Sequence, residues 1–209
     1  MPERDAVRRA WDAVADTYAA RRRPDGEDAR LLDELLADLP TDATVLDIGC
    51  GDGMRTLANL PASTVGLDFS RRQLDLARAN VPTARLVQAD MTALPLAAGS
   101  VDGITAYHAV FHVPRGEHPR VYAEFARVLR PGGLLLLTVG TGRTDTTQRD
   151  WLGSGHAMYW STPGREATRA QLAKAGFEVR WERFVDDPLG SRALFALAEK
   201  RGDYSSHSA

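Results

Sequence analysis

Asp47, Asp68 and Asp90 each close or follow a short apolar run, and the first precedes a turn, Gly49-Cys50-Gly51-Asp52-Gly53, in which glycine recurs at every second position. A backbone stripped in this way lets a ligand approach closely. Carboxylates at the mouth of such a turn suit a cationic ligand, whereas a pyrophosphate would meet like charge there. The phosphate-binding pattern Gly-x-Gly-x-x-Gly would also require a glycine at the position held by Met54. Asp68 stands 19 residues after Gly49, close to the offset of about 20 at which an acidic side chain accepts hydrogen bonds from ribose hydroxyls. A nicotinamide-dependent oxidoreductase is thereby disfavoured, and a purely structural strand-to-helix turn is the bland alternative.

His108 and His112, four residues apart in Tyr107-His108-Ala109-Val110-Phe111-His112-Val113-Pro114, would share one face of a helical turn. Either imidazole could act as general base toward a hydroxyl, thiol or amine, and a structural role is the competing reading. A metal site is not expected, because no third ligand accompanies the pair. Cys50, the only cysteine, occupies a small-residue position in the turn and reads as packing. Trp151, Met158, Tyr159 and Trp160 lie in a Gly- and Thr-rich stretch with neither helical nor strand period, and large amphipathic rings on such a loop either line the pocket of a small organic acceptor or pack the loop down.

The surrounding elements must hold these groups. Val7, Trp11, Val14 and Tyr18 recur at spacings of four, three and four, which predicts a helix over residues 3–20, broken by Pro24, Asp25 and Gly26. A leucine-faced helix follows, ending at Pro40. Strands are expected at 45–48, 63–68, 84–89, 101–107 and 134–139, with helices at 54–60, from 70 after the capping box Ser70/Gln73, and at 117–129. A helix over 163–175 and strands over 177–185 and 193–198 complete the chain. The last two are separated by too few residues for a parallel crossover, so they form an antiparallel pair. The fold class is α/β: a doubly wound, seven-stranded, mostly parallel sheet with an antiparallel C-terminal hairpin.

The run Val45-Leu46-Asp47-Ile48-Gly49-Cys50-Gly51, the segment Gly66-Leu67-Asp68-Phe69-Ser70 and the segment Gln88-Ala89-Asp90-Met91 resemble the motifs of class I (Rossmann-like) S-adenosylmethionine-dependent methyltransferases, and the resemblance covers nearly the whole chain. It implies that Gly49 and Gly51 pass under the methionine part of the cofactor and that Asp68 holds its ribose. Phe69 would lie beside the adenine, Asp90 would accept from the adenine amino group, and Met91 would pack on the ring. Asp47 and Tyr107 belong to the same cofactor set. Residues 1–39 would form a helical lid with Tyr18 approaching the cofactor, and residues 141–163 would face the acceptor. The implied activity is methyl transfer from S-adenosylmethionine to an O, N or S atom of a small organic acceptor, in secondary metabolism, with S-adenosylhomocysteine as product. The alternative is a non-catalytic S-adenosylmethionine-binding regulatory module or a partner-dependent protein or RNA methyltransferase.

The 209 residues suffice for one buried core, so a single domain over 1–209 with a loose tail at 203–209 is expected. A net charge of -2 gives no broad attraction for nucleic acid. With no apolar run near the roughly 20 residues that span a bilayer, no signal peptide and one cysteine, no membrane partner is expected and the location reads as cytoplasmic. Oligomeric state leaves no mark in the sequence.

Overall fold

Strand β1 (Val45–Ile48) is buried along its whole length, Asp47 included, because it lies at the centre of a sheet covered on both faces. In the computed structural model, which describes residues 4–21, 25–186 and 192–202, β1 pairs in parallel with β2 (Val65–Asp68) on one side and β4 (Val101–Ala106) on the other. With β3 (Arg85–Gln88), β5 (Leu129–Val139), β8 (Phe177–Asp186) and β9 (Arg192–Lys200), the sheet order is β3-β2-β1-β4-β5-β9-β8. The first five strands run parallel, and β9 is antiparallel to both β5 and β8. The doubly wound sheet and its C-terminal hairpin therefore match the expectation. Pro24, the link through Pro188 and Gly190, and the tail 203–209 lie outside the described residues.

Alternation along β5 shows why both faces are apolar. Leu135, Leu137 and Val139 join Phe125, Val121 and Leu172 of helices α4 (His118–Val128) and α5 (Arg165–Lys174) in one core. Leu134 and Leu136 point the other way, to Leu31, Leu32 and Leu35 of α2 (Glu27–Ala37). Helix α1 (Arg4–Ala19) buries Val7, Trp11 and Val14 in a third, smaller cluster over the strand ends, and α3 (Arg71–Asn80) follows β2.

Two local expectations are corrected. Residues 54–60 do not form a helix but a single 3-10 turn, Leu57–Asn59, since the stretch between the glycine turn and Pro61 is too short to repay helix nucleation. Residues 141–163 are not an irregular loop. They hold an antiparallel hairpin of β6 (Arg143–Gln148) and β7 (Met158–Pro163), with Thr147 opposite Tyr159 and Thr146 opposite Trp160. Strand β6 is exposed on both faces, so it carries no apolar alternation for the sequence to reveal; its threonines supply β-propensity instead.

Candidate functional site

Strand order reverses between β1 and β4, and open α/β sheets bind ligands in the crevice outside the strand ends at such a switch point. The glycine turn after β1 and residues 107–114 after β4 flank that crevice, and α1 roofs it. The resulting cleft encloses about 940 Å³, its open mouth included. Gly49 adopts φ +68° and Gly51 φ +55°, and the Gly49 amide donates to the Leu67 carbonyl at 2.7 Å, tying the turn to β2. Gly51 lines the cleft, and a Cβ there would have only the Gln73 Oε1 within 4 Å, at 3.7 Å, so its missing side chain is space that a ligand can use.

Gly49, Gly51, Asp68, Phe69, Asp90, Met91, Tyr18, Tyr107, His108 and His112 all line this cleft. Asp47 does not: its carboxylate is 1% exposed and accepts from the hydroxyls of Thr56 and, at 2.7 Å, Thr105. Through Thr56 it braces the segment after the glycine turn rather than facing the cleft. The carboxylate of Asp68 receives the Gly51 amide at 3.0 Å and the Ser70 amide at 2.8 Å. Burial raises the carboxyl groups of both Asp47 and Asp68 to about 6, against hydrogen bonds that pull them down.

The raised value at Asp47 has a testable sign. A buried acid whose folded pKa exceeds its unfolded value of 3.8 holds its proton more tightly in the native state, so stability falls as pH rises through the interval from about 4 to about 6. Asp47→Asn removes that titration, and comparison with wild type cancels the groups that do not interact with Asp47. The variant is expected to gain on the order of 3 kcal/mol relative to wild type between pH 4 and pH 7, measured by urea unfolding. A pH-independent difference would contradict the assignment.

Asp90 is held by Arg4 of α1 and accepts from the Thr92 amide at 2.9 Å and hydroxyl at 2.8 Å. Burial pushes its carboxyl up, but Arg4 and Thr92 outweigh that and hold it below its ordinary value. Arg4 also reaches Glu117 at 2.9 Å, so the lid is latched at two carboxylates. Asp12 of α1 accepts from the Ser70 hydroxyl at 2.6 Å, fastening the lid to the start of α3.

The two histidines do not share a helical face. His108 has φ 54° and lies just before the 3-10 turn Val110–His112, with its amide donating to the Thr138 hydroxyl. Such left-handed backbone at a non-glycine residue costs about 1–3 kcal/mol and concentrates at functional sites. His112 is 8% exposed and packs edge-on against Trp11 at 4.9 Å, and its Nδ1 lies 2.9 Å from the Tyr159 carbonyl. A carbonyl can only accept, so Nδ1 carries the hydrogen and Nε2 the lone pair. Burial lowers this imidazole to about 4, which makes it a weak base and a good hydrogen-bond acceptor at neutral pH.

Trp151, Met158, Tyr159 and Trp160, the expected acceptor contacts, are not among the residues that line the cleft. They pack with Val7, Trp11 and Val14 into the cluster that seats α1 on the hairpin: Trp151 lies 5.3 Å from Trp11, and Trp160 lies 4.5 Å from His112. Cys50 packs with Leu57, Leu74 and Ala77, and burial pushes its thiol well up. Sequence reasoning missed Arg4, for which no signal existed, and the buried pair Asp28–Arg55, whose arginine lines the cleft beside Tyr107. It also gave Gln73 only a capping role, although Gln73 lines the cleft.

A strand-end carboxylate beside a bare glycine turn, at the switch point of the sheet, is the arrangement of an α/β protein that binds a nucleoside-bearing cofactor. Residues 45–133 match the family model described as a methyltransferase domain, which places this region among the class I S-adenosylmethionine-dependent methyltransferases. A trans-aconitate 2-methyltransferase of Azoarcus sp. (strain BH72) is 35% identical over 155 residues, spanning 71% of this chain and 57% of that protein. A tRNA (carboxymethyluridine(34)-5-O)-methyltransferase of Xenopus tropicalis is 30% identical over 139 residues, 66% of this chain and 21% of the relative. The chain thus spans less than two thirds of the length of these curated relatives. In fold it is similar to the Burkholderia thailandensis 1,6-didemethyltoxoflavin-N1-methyltransferase, solved with bound 1,6-didemethyltoxoflavin and S-adenosylhomocysteine: TM-score 0.70, 18% identity, 95% of this chain and 88% of that one. Among the described residues, no helix is long and apolar enough to cross a membrane.

Proposed function

We propose that this protein transfers a methyl group from S-adenosylmethionine to an O, N or S atom of a small organic acceptor of the kind met in secondary metabolism, acting in the cytosol. The observation that carries this reading is Asp68, buried at the end of β2 with its carboxylate on the cleft and locked to the Gly51 amide. When bound, the cofactor supplies an electrophilic methyl on a sulfonium, so the protein needs alignment more than covalent catalysis. Asp68 accepts from the ribose, Phe69 and Met91 cover the adenine, Asp90 accepts from its amino group once Arg4 yields, and Gly49 and Gly51 give the methionine part room. Tyr18 and Trp11 of the lid exclude water.

The acceptor enters against residues 107–114. His112 offers a lone pair to an O–H or N–H there, and His108, which also lines the cleft, is the second imidazole within reach of the acceptor. Of the two arginines lining the cleft, Arg55 is held by Asp28 and Arg4 keeps Glu117 when Asp90 turns to the adenine, which favours an uncharged acceptor over a carboxylate such as the one named for the Azoarcus relative. The roof of α1 and the net charge of -2 favour a small molecule over RNA. The test is incubation with methyl-labelled cofactor and a cell extract. Label in the small-molecule fraction supports the reading; label confined to RNA or protein moves the assignment to the partner-dependent alternative, and no label leaves a binding module.

A further inference from the structure

Ser70 and Gln73 have the spacing of a capping box, in which the glutamine side chain reaches back to the amide of the capping residue. Only half of the box forms. The Gln73 amide donates to the Ser70 hydroxyl at 3.2 Å, but the Ser70 amide donates to Asp68 Oδ1 at 2.8 Å, so the partner that Gln73 would take is already used. The carboxamide is left 1% exposed, with Nε2 and Oε1 both buried and without a hydrogen-bond partner, at the wall of the cleft. Its Oε1 lies 3.7 Å from where a Gly51 Cβ would stand, and the Gly51 amide is the group that Asp68 Oδ2 accepts from. A buried amide with neither atom satisfied is costly, and native structures carry few without a functional reason.

A ribose hydroxyl both donates and accepts. Asp68 can only accept, so a hydroxyl held by it still has lone pairs to satisfy, and the carboxamide across the turn carries the needed N–H. We propose that Gln73 is a cofactor-binding residue, donating through its carboxamide to the ribose hydroxyl that Asp68 holds, a reading that rests on the cofactor assignment above. On this reading the partner that the protein does not supply to the carboxamide is the ligand hydroxyl.

The inference makes stability and affinity move in opposite directions. In Gln73→Met, which keeps length and removes both polar atoms, the free protein is expected to melt at a higher temperature than wild type, while S-adenosylhomocysteine binds about tenfold more weakly by calorimetry. 5'-Methylthioadenosine, which has the same ribose and no amino acid part, should lose affinity by the same factor. Gln73→Leu serves as second variant should the methionine pack poorly. Unchanged affinity for S-adenosylhomocysteine overturns the proposal, as does a loss seen with S-adenosylhomocysteine but not with 5'-methylthioadenosine. Failure of the wild type itself to bind either probe would instead remove the cofactor assignment and this inference with it.

Discussion

Replacing Asp68 by alanine is expected to weaken S-adenosylhomocysteine binding by about a hundredfold. A hydrogen bond to a charged group contributes roughly 1.5–3 kcal/mol, and a ribose diol facing this carboxylate would lose its acceptor at a site excluded from water. The same change also frees the amides of Gly51 and Ser70, which Asp68 holds at 3.0 and 2.8 Å, so the glycine turn loses its tie to the start of α3. Asp68→Asn separates the two effects, because it keeps an acceptor oxygen without the charge. Its affinity should fall between wild type and alanine in a calorimetric titration. An alanine variant that binds as wild type does would remove Asp68 from the site.

Gly49→Ala is the second large effect, and it acts on the fold of the site. Gly49 has φ +68°, where an L-residue costs roughly 1–2 kcal/mol, and a Cβ would stand 2.4 Å from the Cβ of Ala109, which no real contact allows. Overpacking adds roughly 1–3 kcal/mol, so the variant should lose about 3 kcal/mol and melt about 10 °C lower. Relief can come only by displacing residues 107–112, the acceptor wall, so cofactor and acceptor binding should suffer together. Gly99→Ala is the matched control. Its φ is +59° but nothing lies within 4 Å of the new Cβ, so only the backbone cost should appear. Equal losses at the two positions would show that crowding against Ala109 plays no part.

The sheet was legible because its signals are local. A strand buried on both faces is a continuous apolar run, and the turn chemistry that follows it is confined to a few residues, as at Val45 to Gly53. The place of Asp68 at the cleft was legible for the same reason, since its distance from the turn follows from one short connection between neighbouring parallel strands. What was not legible depends on contacts distant along the chain. Arg4 meets Asp90 across 86 positions, and nothing in either neighbourhood announces it. Trp151, Tyr159 and Trp160 have the chemistry of a pocket lining, but Trp11 and Val14 from the other end of the chain claim their faces. The histidine spacing implied a shared helical face, and the left-handed backbone at His108 removed it. Gln73 reads as a cap in sequence because the competing acceptor, Asp68, is visible only once the Ser70 amide has a direction.

Calorimetric titration of the purified protein with S-adenosylhomocysteine and, separately, with NADH goes to the centre of the assignment. The expected result is saturable one-to-one binding of S-adenosylhomocysteine that Asp68→Ala abolishes or cuts about a hundredfold, with no heat from NADH. Binding of NADH in preference, or binding of S-adenosylhomocysteine that is indifferent to Asp68, would contradict it.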